Sequence, residues 1–160
     1  MALMQPLVHD RGLLKERILA AFKTVAALPE VDSDRIAAIG FCFGGLCVLD
    51  LARTGAPAKG VVSFHGLLNA PAGLAPHEIT AKVLALHGYD DPMVKPDAVN
   101  TFCQEMNAAQ ADWQVHMYGH VQHAFANPQA HDHQLGTVYN AQAEQRSIQA
   151  MQNFLQELFA

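Results

Sequence analysis

The sequence has no long apolar run, no excess of positive charge and few cysteines, and each shortage excludes a class of protein. Its apolar stretches are only as long as a strand or an amphipathic helix, so no membrane-spanning helix is predicted. The formal net charge of -5 at pH 7 argues against nucleic acid or an anionic membrane as partner. The first residues lack the basic and apolar regions of a signal peptide. Three cysteines without framework spacing indicate free thiols, so we expect a cytoplasmic protein.

Apolar strand patterns alternate with helical patterns along most of the 160 residues. The predicted strands lie at 35–40, 60–66, 82–88 and 113–118, and helical patterns occupy 13–28, 44–53, a segment from about 96, and the chain end around 148–158. Continuous apolar strands between helices are typical of a parallel sheet that is covered on both faces. We therefore expect an α/β fold with a mainly parallel sheet of about four strands. The segment 119–138 is predicted as a loop, and 67–80 is too irregular to assign.

The segment Gly40-Phe41-Cys42-Phe43-Gly44 stands where the first predicted strand meets a helix. It has the form of a nucleophile elbow, with cysteine in place of serine. Such a nucleophile lies in a sharp, strained turn, and the flanking glycines let strand and helix approach each other. The N–H groups at the helix start lower the pKa of a thiol, and the N–H of Phe43 would bind an oxyanion. We predict that Cys42 is a nucleophile rather than a buried structural cysteine.

Other uses of these residue types have weaker support in the sequence. Cys47 and Cys103 lie on helical patterns and are expected in the core. A redox role for Cys42 would need a resolving cysteine at C-x-x-C spacing, which is lacking. No G-x-G-x-x-G stretch predicts a dinucleotide cofactor. Four histidines are loosely clustered in the second half of the chain, but without metal-ligand spacing, so no metal site is predicted; they are His116, His120, His131 and His133.

A cysteine nucleophile needs a base and a group that orients the base. Asp90 and Asp91 follow the third predicted strand, at the edge where sites form in parallel sheets. We prefer Asp91, because Pro92 fixes its backbone, whereas Asp90 is typical of a turn residue.

Two histidines follow the last predicted strand. His123 is the preferred general base, with Phe125 expected beside its imidazole, and His120 is the competitor. The other interpretation of His123 is a surface histidine without a role.

With these residues in place, the chain resembles the dienelactone hydrolase family. The resemblance rests on DSDRIAAIGFCFGG, LALHGYDDPMVKP and MYGHVQHAFANP, and it extends from about residue 13 to the end. It implies an α/β-hydrolase fold and hydrolysis of esters or lactones without a cofactor. Cys42 matches the family's nucleophile, Asp91 its acid and His123 its histidine. Asn127 stands where dienelactone hydrolases carry an arginine that grips a substrate carboxylate, so the substrate need not be a dienelactone.

The resemblance also implies that the family's first strands are lacking, so that residues 1–160 form a single domain corresponding to the C-terminal portion of an α/β-hydrolase. The loop that supplies the family's second oxyanion N–H would lie among the lacking strands, as would the glutamate that controls the cysteine. Loss of one oxyanion donor costs roughly 10²–10³ in rate. The strand at 35–40 would then have a bare edge, which tends to pair with another chain. An alternative function is therefore a catalytically impaired, non-enzymatic domain that forms homodimers through this edge.

Overall fold

The computed structural model describes residues 4–73 and 78–160. The helices are α1 (Gln5–His9), α2 (Arg11–Ala26), α3 (Phe43–Arg53), α4 (Pro96–Ala108) and α5 (Ala141–Leu158). The strands are β1 (Ala37–Phe41), β2 (Gly60–Phe64), β3 (Lys82–Gly88), β4 (Trp113–Tyr118), β5 (His131–Asp132) and β6 (Thr137–Val138). No helix in the described part of the chain is long and apolar enough to cross a membrane.

The main sheet has four strands in the order β1-β2-β3-β4, and all of its pairs are parallel. This arrangement confirms the predicted mainly parallel sheet of about four strands. The registers are in phase, since Phe41 pairs with Phe64 and Phe64 pairs with Leu86. Because parallel strands end at a common edge, the residues that follow β1, β2 and β3 are brought close together.

Helices pack on both faces of the sheet, as predicted. Alternate residues of β2 and β3 point to opposite faces, which explains why both strands are apolar at almost every position. On one face Val61 and Val83 pack with residues of α2, α3 and α4, among them Phe22, Leu49 and Phe102. On the other face Val62 and Leu84 pack with Phe154 of α5 and with Phe125.

Several segments differ from the sequence-based expectation. The short helix α1 was not predicted, β2 ends at Phe64 rather than at 66, and α5 begins at Ala141 rather than near 148. The predicted loop at 119–138 contains the two-residue strands β5 and β6, which pair antiparallel. Such short strands leave no periodic pattern to detect. The unassigned segment 67–80 has no helix or strand in its described parts, 67–73 and 78–80, and its remaining residues lie outside the described ranges.

Candidate active site

Cys42 lies in the one-residue turn between β1 and α3. Its backbone has φ 53° and ψ -116°, a conformation that is uncommon for a residue with a side chain. Its N–H donates to the carbonyl of Phe64 at 3.0 Å, which continues the sheet, while its own carbonyl accepts from Gly45 at 3.0 Å, which begins the helix. Both neighbouring elements therefore hold the strained residue in place. Strain of this kind costs about 1–3 kcal/mol and is typical of functional sites.

The elbow depends on glycine at positions 40 and 45. A Cβ at Gly40 would overlap the backbone carbonyl of Gly44, and a Cβ at Gly45 would lie 2.8 Å from the Cα of Gly66. A Cβ at Gly44 itself would meet nothing within 4 Å. The expectation that both flanking glycines permit the close approach is therefore right for Gly40 and wrong for Gly44. The sequence motif cannot show this difference, because it depends on which backbone atoms lie close to each glycine Cα in the folded protein.

Replacing Gly40 by alanine is expected to destabilise the protein by about 3 kcal/mol, since an atom forced against backbone cannot be relieved by a side-chain rotation. Gly44→Ala is the matched control, because it adds the same methyl group to open space on α3. Alanine is the better helix former by about 0.8–1 kcal/mol, so this control should be as stable as the wild type or slightly more so. Urea denaturation measures both changes, and equal midpoints for the two variants would contradict the steric argument.

The structure brings Cys42, His123 and Asp91 into one hydrogen-bonded chain. His123 Nδ1 lies 2.7 Å from Asp91 Oδ2, and His123 Nε2 lies 3.2 Å from Cys42 Sγ. His123 and Asp91 are both 1% exposed, whereas Cys42 is half-buried. The other carboxylate oxygen of Asp91 accepts from the backbone N–H of Met93 at 2.8 Å. One carboxylate oxygen is thus held by the backbone, and the other orients the imidazole of His123.

The loop that carries His123 is held by close backbone contacts. Gly88, the last residue of β3, has no room for a Cβ because the carbonyl of Val121 passes over it. The N–H of His123 donates to the carbonyl of Gly136 at 3.0 Å, and its carbonyl accepts from Val138 at 2.9 Å. The turn between β5 and β6, together with β6, therefore positions the imidazole.

The two competing residues lie elsewhere. The side chain of His120 is fully exposed and that of Asp90 is 47% exposed, with 3.8 Å between Nδ1 and Oδ2. They face each other at the surface and do not form part of the chain that leads to Cys42. Phe125, which was expected beside the imidazole, packs edge-on against His65 with 5.2 Å between ring centroids, and His65 packs against His123.

The ionisation of the site favours a thiolate beside an imidazolium. The pKa of Cys42 is lowered by its hydrogen bond with His123, against the opposing effect of burial, and the backbone N–H of Phe43 lowers it further. Burial alone would lower the pKa of His123, but its hydrogen bonds with Asp91 and Cys42 prevail and raise it to about 9. The pKa of Asp91 is lowered although burial opposes this, because the imidazolium lies beside it.

The pKa values of the other two thiols are shifted in the opposite direction, upward. Burial, followed by the nearby charge of Asp50, raises the pKa of Cys47 to about 11. Burial also raises the pKa of Cys103. Both cysteines are half-buried rather than fully buried in the core, and neither pKa shift favours a reactive thiolate.

A cavity of about 880 Å³ opens onto Cys42 and His123. Most of its lining surface is apolar, with Phe41, Met93 and Leu135 among the contributors, and no lysine or arginine lines it within the described residues. His65, the residue directly after β2, also lines it and was missed by sequence reasoning. The sequence did contain a signal for His65, because it lies at the end of the predicted strand that comes between the strand before Cys42 and the strand before Asp91. Within residues 4–73 and 78–160, no group of three or more His, Cys, Asp or Glu side chains is arranged to hold a metal ion.

Comparison with known proteins identifies the relatives of the chain. The family model described as "Dienelactone hydrolase family" matches residues 1–159. A crystal structure of a dienelactone hydrolase-like promiscuous phosphotriesterase from metagenomic libraries is 43% identical, with a TM-score of 0.90 over 98% of this chain and 66% of that one.

Two curated relatives differ in how much of their length is covered. An uncharacterised protein of Caenorhabditis elegans is 38% identical over 159 residues, which cover 96% of this chain and all of that protein. A Bradyrhizobium protein named "Probable 2-oxo-3-(5-oxofuran-2-ylidene)propanoate lactonase" is 32% identical over 74% of this chain and 50% of its own length. The chain therefore spans the whole of one relative and half of the other.

Proposed function

Since the chain belongs to the dienelactone hydrolase family, we propose that it hydrolyses carboxylic esters or lactones through Cys42, His123 and Asp91. The observation that carries the proposal is the continuous arrangement of carboxylate, imidazole and thiol, with separations of 2.7 and 3.2 Å. These three side chains are far apart in the sequence, their hydrogen-bonded order is the one a catalytic triad requires, and two of them, Cys42 and His123, line the cavity. The reaction needs no cofactor, because the thiolate is itself the nucleophile.

The first half of the reaction is acyl transfer to the cysteine. The Cys42 thiolate attacks the substrate carbonyl, and the oxyanion that forms is stabilised by the N–H of Phe43 at the start of α3. The imidazolium of His123 then donates its Nε2 proton to the leaving alkoxide, and Asp91 holds the ring in the tautomer that this transfer requires. The products are an alcohol and a thioester on Cys42.

The second half returns the enzyme to its starting state. Neutral His123 removes a proton from water, the hydroxide attacks the thioester, and the C–S bond breaks with its electron pair on sulfur. The thiolate and imidazolium are restored and a carboxylic acid leaves. A thiol that must stay reduced through this cycle is best suited to the cytoplasm, which we propose as the location.

The direct test is the covalent intermediate. With p-nitrophenyl acetate, the protein should release nitrophenolate and carry an acetyl group on Cys42, detected by mass spectrometry. Prior alkylation with iodoacetamide should abolish both. Turnover that persists after complete alkylation of Cys42 would reject the mechanism.

The cavity predicts a preference for uncharged acyl groups. No lysine or arginine lines its described part, Asp132 at its rim is acidic, and Asn127 offers only an amide. A carboxylate that enters such a cavity loses hydration without gaining a cation.

We expect p-nitrophenyl butyrate to be hydrolysed with a kcat/KM at least about tenfold above that of p-nitrophenyl hemisuccinate, an ester of similar length that ends in a carboxylate. Asn127→Arg should narrow this ratio, because it brings a cation to the cavity wall, and Asn127→Gln is the uncharged control. A wild-type protein that prefers the hemisuccinate would contradict the interpretation of the cavity.

A second candidate function is homodimerisation through β1. Among the described residues β1 pairs with β2 alone, so its other edge is free. On the sheet face against which α5 packs, the helix covers β2 and β3 but not β1. Ile39 and Phe41 of β1 are therefore 43% and 46% exposed. An apolar strand with a free edge is a template for a second copy of the same strand. Such a dimer would bury the exposed side chains of β1, and it would form whether or not the protein is catalytically active.

Size-exclusion chromatography at two concentrations tests the dimer. The proposal expects a dimer in the wild type and a monomer for Ile39→Lys, with Lys15→Glu on the exposed surface of α2 as a control of altered charge. A wild-type monomer at high micromolar concentration would reject it.

A further inference from the structure

His65 is a buried histidine that the triad does not use. It directly follows β2, has φ 39°, and donates its backbone N–H to the carbonyl of Leu86 at 2.8 Å. The residue is 3% exposed and lines the same cavity as Cys42 and His123. It therefore lies in the floor of the site, at the carboxyl edge of the sheet.

The contacts of the His65 ring are aromatic rather than polar. Its centroid lies 5.0 Å from that of His123, edge-on, and 5.2 Å from that of Phe125. Within the described residues, neither Nδ1 nor Nε2 has a hydrogen-bond partner. A buried polar group without a partner is unfavourable, and its presence beside a cavity indicates a partner that arrives with the reaction.

The protonation state of His65 leaves it able to accept a hydrogen bond. Burial, and next the charge of the neighbouring His123, lower its pKa to about 4. At neutral pH the ring is therefore uncharged, with one nitrogen as donor and the other as acceptor.

Deacylation creates a need for such an acceptor. Water has two protons, and His123 removes only one of them when the thioester is attacked. Of the described polar side chains that line the cavity, only His65 and His123 are buried; the others, such as Asn127 and Thr137, are exposed or half-buried. His123 is hydrogen-bonded to Asp91 through Nδ1 and would contact the water through Nε2. Of the two buried side chains, His65 is therefore the one whose ring nitrogens are available for a further hydrogen bond.

We propose that His65 binds the water that hydrolyses the acyl-enzyme, accepting a hydrogen bond from the proton that His123 does not remove. This inference rests on the proposed function. No proton passes to His65 in the step: one water proton goes to His123 Nε2, the oxygen bonds to the acyl carbon, and the C–S bond breaks with its electron pair on the Cys42 sulfur. His65 thereby acts on deacylation and leaves acylation unchanged.

The experiment separates the two half-reactions. The protein is acetylated with p-nitrophenyl acetate, excess ester is removed by rapid gel filtration, and the loss of the acetyl group is followed by mass spectrometry. In His65→Phe, which keeps a ring of similar size without an acceptor, we expect the lifetime of the acetyl-enzyme to lengthen about tenfold, the factor for one lost hydrogen bond. The rate of acetylation should stay within about twofold. His65→Gln, which retains an uncharged acceptor, should recover most of the deacylation rate.

Each outcome decides between the alternatives. Equal acetyl lifetimes in the wild type and His65→Phe, or an equal slowing of acetylation and deacylation, would overturn the role of His65. The rate of alkylation of Cys42 by iodoacetamide reports whether the site is intact, and His65→Met makes the same comparison if the phenylalanine variant does not fold. A wild type that never forms an acetyl-enzyme would reject the proposed function as well, so the two failures are distinguishable.

Discussion

Replacing Cys42 by alanine is expected to lower the kcat/KM for p-nitrophenyl acetate by about 10⁴-fold or more and to remove the acetyl-enzyme altogether. The reason is that the thiolate supplies the new bond in the first step, and no other described thiol can take its place. The pKa of Cys47 is raised to about 11 and that of Cys103 is also raised. When the nucleophile of a triad is removed, only binding and the oxyanion donors remain, and these retain a small part of the rate enhancement.

Cys103→Ala is the matched control for this experiment. It removes the same sulfur atom from a half-buried position on α4, away from the residues that line the cavity. We expect its kcat/KM to stay within about twofold of the wild type. Turnover by Cys42→Ala within tenfold of the wild type, or an acetyl group on another residue, would show that the elbow cysteine is not the nucleophile.

Replacing His123 by glutamine is expected to lower kcat/KM by about 10²–10⁴-fold and to make Cys42 less reactive at neutral pH. The hydrogen bond with His123 is the largest influence that lowers the pKa of Cys42, and burial acts in the opposite direction. Without the imidazole, burial prevails, and the pKa of the thiol moves upward. The rate of alkylation by iodoacetamide, measured against pH, should therefore rise at higher pH in the variant than in the wild type.

Asp91→Asn tests the other end of the same chain of hydrogen bonds. The pKa of His123 is raised to about 9 in large part by Asp91, and the imidazolium is the form that protonates the leaving group. For an alkyl ester, whose alkoxide must be protonated as it leaves, the wild-type kcat/KM should therefore decline as the pH rises through about 9, and in Asp91→Asn this decline should begin at lower pH. For the His123→Gln experiment, the control is His120→Gln, which changes an exposed histidine outside the site. If the wild type and His123→Gln had identical pH profiles for alkylation of Cys42 by iodoacetamide, the proposed ion pair between the Cys42 thiolate and the His123 imidazolium would be contradicted.

Much of the fold could be predicted because it rests on local patterns. The strands at 82–88 and 113–118 have the predicted bounds. The first is buried and apolar at most positions, whereas the second is an edge strand recognised by the alternation of its residues. The elbow was also visible in the sequence, because a nucleophile between two elements needs a particular turn and nearby glycine. The hairpin of β5 and β6 could not be predicted, because two residues per strand carry no period.

The sequence by itself determined the alternation of strands and helices, the elbow with Cys42, and the two acidic residues and two histidines from which the rest of the site could come. The sequence also favoured Asp91 over Asp90 and His123 over His120, but only the tertiary structure shows that Asp91 and His123 lie within hydrogen-bond distance while Asp90 and His120 face solvent. The tertiary structure also decided that Gly45 rather than Gly44 permits the close approach and that His65 lies in the cavity. The physical reason is that turn chemistry and periodicity act between neighbours in the chain. The direction of a side chain on a loop depends instead on distant backbone, here the carbonyl of Gly136 and the passage of Val121 over Gly88.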